Sequence, residues 1–342
     1  DAVIALHGAD FVTFNGIDVA SSSPLGVNPF TTINYGFLLR NNRILENVTP
    51  VDGCQNNVIE GCQITLDRRK FSILMVGIGS ASSTGIAGGS VSTNATHANS
   101  GNILRDFFIT NCGAGINMIA TAGFPDIGNQ IVSSNCTTFN TIGDPNVPID
   151  IGGNAVGAWG IQTSEQRDLV VRNTRVSNVV TTLATGLIRG LALITNQGTC
   201  EVSNNSVQGI RRPVTGTLTV IQGILMTHNT TIASTYRVFN NTVSDLTYNY
   251  AGAANIARGL IGMHLANTLG SASQVYEVYN NSVSLDQGAF LNMSSACLET
   301  GTATGPSFII RNNIFSNRTG AQGATAKHFA IWHPTAGVIG TG

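Results

Sequence analysis

A chain of 342 residues with 17 basic and 18 acidic side chains lacks the Lys/Arg stripe that nucleic-acid binding requires; Asp67-Arg68-Arg69-Lys70 and Arg211-Arg212 are too short to form one. Hydrophobic residues reach 42%, yet no run approaches the roughly 20 apolar residues of a membrane span, so no membrane insertion is expected. With 10% charged residues, 39 glycines and only two lysines, Lys70 and Lys327, the chain cannot furnish the exposed faces of surface helices, and it reads as all-β.

In chain order, the sequence opens on strand-like Val3-Ile-Ala-Leu6 and a turn at Phe14-Asn-Gly-Ile17. Similar strand–turn units recur loosely at Arg40-Asn-Asn-Arg43, Ile59-Glu-Gly-Cys-Gln-Ile64, Ile109-Thr-Asn-Cys112 and Val132-Ser-Ser-Asn-Cys136. The repeat then sharpens. Four strands carry an X-Gly start: Trp159-Gly160, Arg189-Gly190, Gln222-Gly223 and Arg258-Gly259, with the glycines spaced 30, 33 and 36. Five others surround an Asn-rich turn: Val171–Val176, Val202–Val207, Val238–Val243, Val278–Val283 and Ile310–Phe315. Their equivalent asparagines, Asn173, Asn204, Asn240, Asn280 and Asn312, are spaced 31, 36, 40 and 32. Polar segments 21–34, 80–100, 140–157, 245–257 and 286–305 read as loops leaving the repeat, and the chain stops at Ile339-Gly-Thr-Gly342 without a cap.

A variable period of this kind means fixed strands joined by loops of adjustable length. One such unit cannot bury its apolar side alone, whereas neighbours stacked about 4.8 Å apart complete a continuous core. Asn suits the turns because it tolerates left-handed backbone and its amide can bond the coil above or below. The spacing of 24 between Cys112 and Cys136 is too short for a propeller blade. The expectation is one right-handed parallel β-helix solenoid domain over residues 1–342, roughly ten coils and about 50 Å long, belonging to a longer protein. Cys62, Cys112 and Cys136 are read as occupying one turn position. Two outcomes stay open there, a column of free thiols or a Cys112–Cys136 disulfide.

With these repeats in view, the sequence resembles the right-handed β-helix proteins of the pectate-lyase-like superfamily. The stretches Gly8–Val19, Tyr35–Arg40 and Asn56–Thr65 are similar to β-helix regions of very large secreted bacterial surface proteins. The resemblance implies export to the cell surface and further domains in the parent chain. It does not imply one activity, since the superfamily spans lyases, hydrolases, epimerases, tailspikes and adhesins.

The candidate chemistry is correspondingly sparse. No Asp-Asp or Asp-x-Asp set is present, and Glu165 and Asp168 are read as surface charges flanking a turn, so no catalytic residue is assigned. Five positions past each glycine come Glu165, Thr195, His228 and His264, which places the two histidines in adjacent coils; with no third ligand, neither a metal nor any other cofactor is expected. The residues before each glycine, Trp159, Arg189, Gln222 and Arg258, are expected to form an outward stripe suited to a polysaccharide or surface glycan. The leading expectation is a secreted or cell-surface structural and adhesive module; the alternative is a polysaccharide lyase or glycoside hydrolase.

Overall fold

The computed structural model describes residues 2–20, 35–41, 52–66, 76–81, 91–134, 140–142, 149–150, 157–180, 187–212, 220–228, 231–248, 255–267, 274–287, 293–301, 305–320 and 326–333. Three long sheets run through it, one of ten strands and two of nine, and every strand pairing within them is parallel. The first sheet extends from Ala2–His7 to His328–Trp332, the second from Thr13–Asn15 to Ser307–Arg311, and the third from Val19–Ala20 to Ile314–Asn317. The chain visits the sheets in rotation and returns one strand further along each time. This is a parallel β-helix of nine complete coils and the first strand of a tenth among the described residues. A four-stranded sheet, from Ile149–Asp150 to Leu246–Tyr248, adds a fourth side to the middle coils.

Strict alternation on the second sheet fills the core. In Gln274–Tyr279 and Ser234–Phe239 every second residue is buried, and the apolar columns Val171, Val202, Val238, Val278 meet Val176, Val207, Val243, Val283 of the third sheet. Within this core Tyr236, Tyr276 and Phe308 stack with ring centroids 5.1 and 5.2 Å apart, the spacing set by successive strands.

The Asn-Asn turns divide two tasks between their residues. Asn173, Asn204, Asn240, Asn280 and Asn312 all take positive φ, between 51° and 56°, which turns the chain from the second sheet into the third. The residue after each faces inward. Asn205, Asn241 and Asn281 each donate Nδ2 to the Oδ1 of the next coil's asparagine at 3.0 Å, ending on Asn313. A second buried amide run, Asn57–Asn102–Asn129–Gln166, lines the turn between the first and second sheets.

Cys54, Cys62, Cys112, Cys200 and Cys297 are buried free thiols, while Cys136 lies outside the described residues. Cys62 and Cys112 do not share a column. Phe108 N donates to Cys62 O, so Phe107 follows Cys62 in the next coil, and Cys112 sits one turn later, after Asn111. The loop expected over 286–305 is also corrected in part: Met293–Thr300 is a first-sheet strand, buried throughout. It lacks the glycine signature because Cys297 stands at the position that the seven preceding strands, from Tyr35–Arg40 to Asn255–Asn267, fill with Gly.

Candidate functional site

The glycine column explains how the first sheet is shaped. A Cβ on Gly160, Gly190, Gly223 or Gly262 would stand 2.3, 2.3, 2.4 or 2.3 Å from a γ-carbon of Val176, Val207, Val243 or Val283. Each would also press on the carbonyl of the next coil, so no larger residue fits between the first and third sheets there. The residue before each glycine then points away from the core, as do those two and four positions beyond it.

Three residues of the expected stripe do share a column: Trp159 pairs with Arg189, and Arg189 with Gln222. The fourth does not. Gln222 pairs with Ile261, and Arg258 lies three residues earlier, opposite Ser294 and beside register shifts. The strand Asn255–Asn267 contains two glycines three apart, Gly259 and Gly262, and the core selects Gly262 because only it seats against Gly223 and Val283. The same three-residue offset separates the histidines. His228 pairs with Asn267, whereas His264 pairs with Leu225. His228 is fully buried, bonded to Asn196 O, Ile232 O and the Tyr236 hydroxyl, while His264 lies on the outer face of the first sheet.

That outer face is not an open solvated surface. Tyr35, Leu38, Val76 and Ala114 form an apolar cluster separate from the core, with Trp159 packed against it, and Gln222 is only 5% exposed. A polar run follows where this apolar floor ends, on the next four strands of the sheet. Arg189 Nε donates to Gln222 Oε1 at 3.1 Å, and Gln222 Nε2 donates to His264 Nδ1 at 2.6 Å. Because Nδ1 accepts, the ring proton of neutral His264 lies on Nε2, which faces Glu299 Oε1 at 3.8 Å. Four side chains on four successive coils thus form one directional chain from a guanidinium to a carboxylate. Burial lowers the Arg189 pKa to about 10. Two further groups on this face lack partners: Trp159 Nε1 and, one coil earlier, Asn117 Oδ1 are buried without a hydrogen bond.

Sequence reasoning missed His264 and Glu299 as members of this face. The available signal was Gly262: His264 stands two residues past it, as Gln162 stands two past Gly160. Glu165 and Asp168 sit in the turn between the first and second sheets, both at φ 55°, off the outer face. Burial raises the Glu165 carboxyl, against hydrogen bonds from Thr195 and Gln197, and Asp168 Oδ1 accepts from Thr199 N. Among the described residues no three His, Cys, Asp or Glu gather as a metal site.

No family model matches the chain, and no curated protein matches it. Among solved structures, the chain is similar to the Streptococcus pneumoniae surface protein and adhesin PfbA, at 10% identity and a TM-score of 0.38, over 95% of this chain and 63% of that one. The chain therefore spans less than two thirds of that structure's length. The parallel β-helix rests on this chain's own three sheets.

Proposed function

We propose that this chain is a structural and adhesive module of a larger secreted or cell-surface protein, and that it binds glycan along the outer face of the first sheet. The observation that carries the reading is the Arg189–Gln222–His264–Glu299 run, which continues along the same face from an apolar floor that ends at Trp159. Saccharides present apolar C–H faces and polar edges together, and sites that hold them combine an aromatic or apolar floor with a few fixed hydrogen-bonding groups. A stiff solenoid suits the role, because its repeated strands fix these groups at regular intervals without loop ordering.

The alternative, glycoside hydrolysis by paired carboxylates, finds less support. It needs a second acid across the substrate. Glu299 is the one carboxylate among the described outward positions of the first sheet.

The test is affinity electrophoresis of the purified chain through gels cast with neutral or acidic polysaccharides, then stained for polymer. Retardation that Trp159→Ala and Arg189→Ala both weaken supports the proposal. A cleared zone would replace it with a polysaccharide-degrading enzyme. Unchanged migration in every gel would leave a structural rod without a glycan face.

A further inference from the structure

We infer that Arg189 and Trp159 form an anion subsite that takes the carboxylate of an acidic saccharide. This inference rests on the glycan-face reading and names the class of ligand.

Arg189 carries five N–H donors in a planar fork, and one of them, on Nε, is spent on Gln222. Among the described residues no carboxylate pairs with it, although Arg105, Arg211, Arg237 and Arg318 each pair with one. Glu299 stands three coils away, about 14 Å along the axis, and faces His264 instead. The guanidinium therefore keeps its charge against partial burial, which already lowers its pKa to about 10, and its side-chain bond to Gln222 uses Nε, leaving the Nη edge toward the outer face. A partly buried cation with no counter-ion gains most from a ligand that brings an anion to it.

The neighbouring coil adds to the same demand. Trp159 stands directly beside Arg189 in the register, and its Nε1 is a buried donor with no acceptor. One coil further, Asn117 is 5% exposed and its Oδ1 is a buried acceptor with no donor. Donors on two adjacent coils and an acceptor on a third match a group that accepts twice near one that donates. A sugar carboxylate with its ring hydroxyls has that pattern, and a guanidinium fork binds the carboxylate through two parallel hydrogen bonds. A neutral sugar would satisfy Asn117 and Trp159 but leave the charge uncompensated.

Trp159 supplies its own readout. The chain has two tryptophans, so a Trp332→Phe background leaves Trp159 as the sole indole emitter. Its fluorescence is titrated with a hyaluronan hexasaccharide, with maltohexaose, and with sodium chloride at matched ionic strength. The expected result is a saturable change with hyaluronan alone, weakened at least tenfold by Arg189→Gln and restored in part by Arg189→Lys, with unchanged circular dichroism. Equal responses to both saccharides, or hyaluronan binding that Arg189→Gln leaves intact, would overturn the anion subsite while the glycan face stands. No response to either saccharide, together with unretarded migration in every polysaccharide gel, would overturn both.

Discussion

Asn241 offers a direct test of how the coils are held together. Its side chain is 1% exposed and makes four hydrogen bonds: Nδ2 donates to Val202 O at 2.8 Å and Asn281 Oδ1 at 3.0 Å, while Oδ1 accepts from Asn205 N and Asn205 Nδ2, both at 3.0 Å. Asn241→Ala removes all four and strands Asn205 N and Val202 O in an apolar turn. At about 1 kcal/mol per net hydrogen bond, the loss is about 4 kcal/mol, a large part of a typical domain's stability. The adjacent Asn240 is an internal control. It is exposed with φ 55°, so Asn240→Gly keeps the left-handed turn and should cost under about 1 kcal/mol. Guanidinium unfolding followed by circular dichroism measures both. Because solenoid coils couple mainly to their neighbours, hydrogen exchange should also place the weakening in the coils flanking Asn241. A cost below about 1 kcal/mol for Asn241→Ala, or equal costs for the two variants, would refute the reasoning that buried amides bind one coil to the next.

Three further outcomes follow from the same geometry. Gly190→Ala places a methyl 2.3 Å from Val207 Cγ1 and 2.6 Å from Gly223 O, and should destabilise by about 2 kcal/mol; adding Val207→Ala should recover only part, because the backbone contact remains. Arg189→Met should raise the melting temperature even as it abolishes binding of acidic saccharide. A base whose folded pKa is about 10, against 12.5 ordinarily, costs stability throughout the range below about pH 10, and that cost fades only as pH rises toward 12.5. After the lost Gln222 hydrogen bond is subtracted, the gain is on the order of 1 kcal/mol, so a lower melting temperature would count against the desolvated guanidinium. Cys112, Cys200 and Cys297, each with its thiol pushed up by burial to about 12, should resist a thiol-reactive dye at pH 8 until the protein is unfolded; rapid labelling of the native chain would contradict their burial.

The sequence by itself determined the solenoid. Valines flanking each Asn-rich turn mark strands whose inward faces must be apolar in every coil, and the asparagines at Asn173, Asn204, Asn240, Asn280 and Asn312 announce a left-handed turn that few other residues adopt. Such signals are local, so they survive loops of any length between them. What only the tertiary structure decided was register. Gly259 and Gly262 are equally good glycines by sequence, and the choice between them depends on contacts with Val283 and Gly223, residues 21 and 39 positions from Gly262. A shift of three residues removes Arg258 from the stripe, separates His228 from His264, and brings His264 beside Gln222 and Glu299. The strand Met293–Thr300 was illegible for the same reason, since its small polar residues become buried only because neighbouring coils cover them. Which residues repeat is written along the chain, but which of them meet across coils is settled by packing between strands 30 to 40 residues apart.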